Sequence, residues 1–582
     1  MHAPTFGDRL RKWAGPTSKA PAIAPEAPLY EQIVAHPNPL GMLDWVKRQH
    51  PHSMPVGVSR QHEMIFTKPE TSVAWVGPAR AMGGKSAAGT VPSLMMHEGP
   101  AAVMSLRTEA LTASAAMRSV RGSIVMFDPD GLGVPAGVEE VRWSLLVGAE
   151  DLGVAITTCQ EFVKSANVIM STAQNAAENM HFSQLAGKIL GVLCHYAAVT
   201  GRPFRWVYDL VSFGALKEFA DILDMLQEWP DNRPYRKLAG VLNQPGDREL
   251  GSIQTTLTNA MGAYDTEEAL RTTDNPNFDV DRFVRGSVEE ENPWLWFENE
   301  HTPGHGTGDT LYLIRGDKPI TAAINVALIT QLIEARYRLH RNDEKGGNPE
   351  AHPDVLFCLD EMANMPLPRL PEYLAAPGRG VLLTGMLQDF SQLGKWGDLG
   401  PSMLTQLQQF IVYRGERVAE TLRLIESLCP TTPTERIMSS GKGDGSMLAA
   451  SASPERLPGI PTHRIYSGVN NDPTTVLYLG ADGAPPDWIH IRPYYSDPML
   501  LAVQVRTLRR MAWVLEPDDP RRLLPLPDLD RDHTARALML AGGYELVGTY
   551  REAISLIRQY AQEPTSFERP VTFQEQGAGA SW

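Results

Sequence analysis

Two short stretches of the chain carry residue types that could do chemistry together. The first reads Ala79-x4-Gly84-Lys85-Ser86 and lies between an apolar run, Ser72–Val76, and a helix-like segment. Glycines let backbone N–H groups turn inward at the positive end of a helix, where polyphosphates bind. A lysine at that point reaches the β/γ oxygens and a hydroxyl ligates Mg²⁺, roles that Lys85 and Ser86 fit. Gly77, Ala79, Gly83, Gly84 and Ala87 form the rest of the expected cradle. Ala79 stands where glycine is usual, and Gly77 could take part in the turn. Taken alone, the motif is equally compatible with a glycine-rich turn that binds nothing.

The second stretch is VLFCLDE, Val355–Glu361, a buried-type strand ending in two carboxylates. In P-loop ATPases the strand beside the phosphate loop ends in an aspartate that holds Mg²⁺. Asp360 suits that role, and Glu361 suits the base that polarises the attacking water. An acidic end on a solvated strand is common. Two such motifs, each at the C-terminal end of an expected strand, coincide far less often by chance. Gln388 ends the next strand, in MLQDFSQL, and could sense the γ-phosphate or orient the water. Arg379, in PGRG before that strand, could act as an arginine finger in a neighbouring subunit, a device worth about 10³–10⁵ in rate. From the residues alone, an ordinary strand-end amide and an ordinary loop arginine describe these two better. GKGDGS (Gly441–Ser446) lacks a preceding strand and the phosphate-loop spacing. His50, His52, His62, His301 and His305 have no partners at metal-ligand spacing and read as exposed loop histidines.

The elements that must position these residues alternate in type. Ser72–Val76, Ala101–Leu106 and Ser123–Phe127 are strand-like, with a helical Arg107–Val120 between the last two. Between about Asp151 and Val284 the alternation stops, and helical periodicity runs through Asn167–Val199, Ala215–Trp229 and Ser252–Tyr264. Glu289–Glu300, EEENPWLWFENE, reads as an acidic surface loop around a tryptophan anchor. Strand signals return at Thr310–Ile314, Val355–Leu359, Val381–Leu387 and Phe410–Tyr413, and Thr475–Leu479 with Trp488–Ile491 looks like a closing hairpin. The expected fold class is α/β: a P-loop NTPase (RecA-like) parallel sheet with an all-α domain inserted between its two motifs. The expected division is an N-terminal extension, partly flexible (1–70), the first part of the ATPase domain (71–150), the insertion (151–300), the second part (301–500) and a helical tail (501–582).

Bulk properties fit this picture. With 582 residues, the chain exceeds one ordinary core. At 43% hydrophobic and 21% charged it is globular, and its net charge of −15 leaves no uniformly basic surface, so any nucleic-acid contact must be local. Cys159, Cys194, Cys358 and Cys429 are scattered, which suggests reduced thiols rather than a disulfide framework or a zinc knuckle. No secretory leader is evident, and no run approaches the roughly 20 apolar residues that span a bilayer.

With these residues in place, the chain resembles the TraG/VirD4 family of type IV secretion coupling proteins, DNA-pumping ATPases related to the FtsK/HerA motors. The likeness runs from about Ser72 to Asp497. It is carried, in order, by GPARAMGGKS, AAVMSLRTEAL with IVMFDPDG, RWSLL (Arg142–Leu146), LDEMANMP, GRGVLLTGMLQDFSQL and HIRPYYSD. Two features depart from the family: the phosphate loop is lengthened, and the usual N-terminal transmembrane helices are missing. The resemblance implies ATP and Mg²⁺ as cofactors, Gln388 as a γ-phosphate sensor and Arg379 as a finger acting in trans. It also implies a homo-oligomer, a hexameric ring around a channel for DNA, single-stranded or relaxase-bound. The expected location is cytoplasmic, with recruitment to the inner face of the membrane by a membrane-anchored channel partner.

The expected function is therefore a coupling ATPase that moves DNA or a protein–DNA complex toward a type IV-like secretion or conjugation channel. Two alternatives stand beside it. A nucleotide-binding adaptor would recruit cargo without turnover, which the altered loop favours and the intact Lys85, Ser86, Asp360 and Glu361 oppose. A soluble DNA motor unconnected to secretion would differ only in its partners.

Overall fold

The computed structural model describes residues 43–527 apart from 44–45, 48, 62, 79–83, 171–175, 214–217, 230, 243–246, 287–307, 349–351, 377, 430, 442–446, 470–471, 498, 502 and 505–517. Strands β1 (Pro55–Val58) and β2 (Met64–Phe66) precede β3 (Val73–Val76), β4 (Ala101–Ser105), β5 (Ile124–Phe127) and the short β6 (Glu139–Glu140). After a long helical stretch come β7 (Thr310–Ile314), β8 (Val355–Leu359), β9 (Val381–Leu387) and β10 (Gln409–Val412). A hairpin of β11 (Thr431–Gly441) and β12 (Met447–Pro458) follows, then β13 (Thr475–Leu479) and β14 (Asp487–His490).

Apart from the β11–β12 hairpin, these strands form one sheet in the order β2-β1-β14-β13-β10-β3-β9-β8-β4-β7-β5-β6. From β10 to β6 every neighbouring pair is parallel. The pairs from β10 outward through β13, β14, β1 and β2 are antiparallel. The large, mostly parallel sheet expected from the sequence is present. Within it, β9 lies between β3 and β8.

The central strands are mainly apolar because both of their faces are covered. In β3, Ala74 and Val76 join one buried cluster and Val73 and Trp75 the other. In β8, Val355, Phe357 and Leu359 join the first, Leu356 and Cys358 the second. The first cluster continues without a break into the helices that follow β6. Phe162 of Leu152–Met170 and Ile189 of Ala176–Thr200 belong to it, as do Ile324 and Leu328 of Ala322–Lys345. Further helices before β7 are Phe204–Phe213, Glu218–Gln227, Arg233–Leu242 and Asp247–Met261. The shorter Val280–Arg285 is capped by Asp279, whose side chain accepts the Arg282 N–H.

All four cysteines are buried and unpaired. Among the described residues no helix is long and apolar enough to cross a membrane. The acidic Glu289–Glu300 segment, most of the tail beyond Ala502, and His62, His301 and His305 lie outside the described residues, as does most of GKGDGS. His50 is exposed, with its ring stacked on Phe66 at 4.0 Å, whereas His52 is half-buried and pairs with Asp354 at 3.0 Å, so of these two the expectation of an exposed loop histidine holds only for the first.

The edge of the sheet where the parallel strands begin is tied together by a buried arginine. Arg118 donates to the carbonyls of Leu94, His97, Gly99 and Gly308 and to Thr310 Oγ1. Beside it His97 is buried, with Nε2 3.2 Å from Pro100 O and 3.1 Å from Asp354 O. Burial, and then the charges of Arg118 and Lys47, push the His97 pKa down to about 3.

Candidate active site

The opposite edge, where the parallel strands end, gathers most of the residues singled out in the sequence. Gly77 follows β3, and its N–H donates to Leu387 O at the end of β9 over 3.2 Å. A Cβ at Gly77 would sit 2.5 Å from Tyr413 Cβ, so the chain passes there only without a side chain. Ala79 and Gly83 lie outside the described residues. Gly84 has φ +66°, the left-handed conformation that glycine adopts without strain, and its carbonyl accepts the Ala88 N–H at 3.1 Å. The chain then enters a π-helical turn, Ser86–Thr90, that runs on into the α-helix Val91–Met96. Such turns are rare and are frequent at functional sites.

Lys85 folds back on the turn: its Nζ donates to Gly77 O at 2.6 Å and to Pro78 O at 3.1 Å. Burial lowers its pKa, while Glu361, Asp360, Glu416 and Asp389 act in the opposite sense. Asp360 directly follows β8, and its N–H donates to Met104 O in β4 at 3.0 Å. Its Oδ1 accepts from Ser86 Oγ at 2.6 Å and Thr90 Oγ1 at 2.9 Å, and its Oδ2 from Ser105 Oγ at 3.0 Å. The phosphate-loop motif and the carboxylate motif are therefore in direct contact across the intervening β9.

Glu361 is half-buried, and its Oε2 accepts from Asn364 Nδ2 at 2.9 Å. Burial and then the neighbouring Asp360 charge raise its pKa, with Asn364, Lys85 and Arg315 partly offsetting them. A carboxylate raised in this way, next to one held by three donors, is the pairing expected of a base beside a metal ligand. Gln388 follows β9 on the same edge, and its N–H donates to Gln392 Oε1 at 2.7 Å. Ala87 lies in the π-helical turn, its carbonyl accepting Tyr494 N–H at 2.9 Å from the HIRPYYSD segment.

Arg379 is not brought to this edge. It precedes β9, at the other end of the strand from Gln388, with its guanidinium 5.8 Å from the centre of the Tyr337 ring. Gly378, Arg379 and Gly380 have φ of +85°, +58° and +77°, so an exposed arginine is held in a backbone conformation that side chains disfavour.

Several residues of the site were not singled out in the sequence. Thr90 and Ser105 touch Asp360. Arg315, just past β7, donates its N–H to Ser105 O at 3.0 Å, and burial lowers its pKa against the pull of Asp130, Glu361 and Asp317. Glu416 is buried near Lys85, accepting the Arg417 and Val418 N–H groups, each at 2.8 Å. A polar residue ending an apolar run was the available signal for Ser105 and Arg315, and i,i+4 spacing from Ser86 the signal for Thr90.

The donor set suits a nucleotide with Mg²⁺: hydroxyl and carboxylate oxygens for a hard cation, and an inward-turned helix start with a lysine for phosphates. No family model matches the chain, and no curated protein matches it. Among solved structures it is similar to the bacterial conjugative coupling protein TrwBΔN70 in an unbound monoclinic form, at 13% identity and TM-score 0.49, covering 78% of this chain and 91% of that one. The trigonal form of that protein with sulphate gives 14%, 0.48, 73% and 85%. VirB4 of Thermoanaerobacter pseudethanolicus gives 10%, 0.36, 75% and 96%.

Proposed function

We propose that this chain is an ATP-hydrolysing motor that moves DNA, or a protein–DNA complex, toward a type IV-like secretion or conjugation channel. The observation that carries the ATPase part is the contact of Ser86 with Asp360 at 2.6 Å, beside Lys85 and Glu361. It unites two motifs 274 residues apart in the chain. Lys85 and the backbone N–H groups from Gly84 to Ala87 would hold the phosphates, and Ser86 and Asp360 the Mg²⁺. When bound, MgATP supplies a polarised γ-phosphoryl group for in-line attack by water. Glu361 accepts the proton of that water, a role favoured by its raised pKa. Gln388, on the strand between the two motifs, orients the water or reads the γ-phosphate.

Arg379 acts on a neighbouring subunit's site. Its exposure and strained turn at the far edge of the sheet support a role outside its own subunit, and a ring of subunits supplies the neighbour. The DNA part of the proposal rests on the segments that resemble the coupling-protein family. Grip on the phosphate backbone is electrostatic and weakens with salt. The test is steady-state ATPase activity of the purified chain with and without single-stranded DNA. The expected result is turnover that rises with DNA and is abolished by Lys85→Ala. Hydrolysis at full rate without DNA would overturn the motor assignment, and nucleotide binding without turnover would favour an adaptor.

A further inference from the structure

We infer that Thr90 and Ser105 are positioning residues that fix the orientation of the Asp360 carboxylate toward the metal of a bound nucleotide, an inference that rests on the ATPase assignment above. Asp360 accepts three hydroxyl donors, and only Ser86 belongs to the phosphate-loop motif. Thr90 comes from the last position of the π-helical turn and is fully buried. Ser105 ends β4 and is 4% exposed. Each hydroxyl has one hydrogen to give. Thr90 gives it to Oδ1 over 2.9 Å and Ser105 to Oδ2 over 3.0 Å, so the carboxylate is held at both oxygens from two different elements.

The hold on Asp360 is itself anchored. Ser105 Oγ accepts the Arg107 N–H at 3.4 Å, and Ser105 O accepts the Arg315 N–H at 3.0 Å, which links the ends of β4 and β7 to Asp360. The Asp360 N–H, bonded to Met104 O at 3.0 Å, fixes the backbone from the same side. A carboxylate has about four lone-pair sites, of which three are occupied here. Ser86 is the one donor of the three that the ATPase assignment also requires at the metal. When its hydroxyl turns away, Thr90 and Ser105 alone keep Asp360 from swinging. Outer hydrogen-bond partners of this kind orient metal ligands, and their loss typically weakens metal binding about 10- to 100-fold.

The test uses the full chain with Mn²⁺ as an EPR-visible probe in place of Mg²⁺, titrated in the presence of saturating ADP. Nucleotide affinity is measured separately in EDTA. Ser105→Ala and Thr90→Val are expected to weaken Mn²⁺ binding about 10- to 100-fold while leaving metal-free ADP affinity unchanged. Thr90→Ser, which keeps the hydroxyl, is expected to restore wild-type Mn²⁺ affinity. Because Thr90 is fully buried, Ser105→Ala decides the matter alone if Thr90→Val fails to fold. Wild-type Mn²⁺ affinity in Ser105→Ala would overturn the inference and leave the ATPase assignment standing. A wild-type chain that binds neither ADP nor Mn²⁺ with it would overturn both.

Discussion

Replacing Glu361 with glutamine removes a single negative charge from the proposed site and little else. Asn364 Nδ2 donates to Glu361 Oε2 at 2.9 Å, and a glutamine carbonyl oxygen can accept the same hydrogen. The turn that follows is held by the backbone, through Asn364 and Met365 N–H groups donating to Glu361 O at 2.9 and 3.0 Å. Burial and the Asp360 charge both disfavour the ionised Glu361 side chain, so its neutral replacement costs the fold nothing. The effect therefore falls on catalysis. Loss of a positioned general base costs about 10²–10⁴ in rate, which is about 3–5 kcal/mol of barrier. The assay is ATP turnover by Glu361→Gln beside the affinity for a fluorescent ATP analogue. Turnover should fall in that range with affinity within a few-fold of wild type. Turnover within fivefold of wild type, or an equal loss of nucleotide binding, would refute the assignment of Glu361 as the base.

Other outcomes follow from the same geometry. Arg315 holds the Glu361 pKa down, so Arg315→Ala should raise it and move the acid limb of the pH–turnover profile to higher pH, read from turnover across the acid range. His97 has a folded pKa of about 3 against an ordinary 6.5, so the unfolded chain takes up a proton there that the folded chain refuses. Its contribution to stability is present above pH 6.5 and is lost as pH falls toward 3. Urea unfolding should show about 2 kcal/mol of that loss by about pH 5, and His97→Gln should remove it. Arg379→Ala and Glu361→Gln subunits should each be nearly inactive alone. Mixed, they should regain turnover above the sum of the two, because some interfaces then join an intact finger to an intact base; additive turnover would count against action in trans.

The central strands were legible because each is buried on both faces and so reads as a mainly apolar run: β3, β4, β5, β7, β8 and β9 lie where the sequence placed them. The missed strands lack that signal. β2 is half-exposed along its length and β6 is two glutamates at the sheet margin. Strand order was not legible. Val355–Glu361 names its own chemistry, but nothing local in it says that β9 lies between it and β3. The same limit hid Thr90, Ser105 and Arg315. Ser105 and Arg315 join the proposed site only because β4 pairs with β8 on one side and β7 on the other, and Thr90 because the turn after β3 reaches Asp360. The four residues at the centre of the proposed site, Lys85, Ser86, Asp360 and Glu361, are the ones that side-chain type and strand-end position mark without reference to the rest of the chain, and the structure brings them together.

The most direct test of the proposed site is a crystal structure of the chain with Mg²⁺ and a non-hydrolysable ATP analogue. Lys85 Nζ should leave the Gly77 and Pro78 carbonyls for phosphate oxygens. Ser86 Oγ should leave Asp360 for the metal, and Glu361 should face the γ-phosphate. An analogue bound elsewhere, or one bound with Lys85 still donating to those carbonyls, would contradict the assignment of this edge of the sheet as the hydrolytic site.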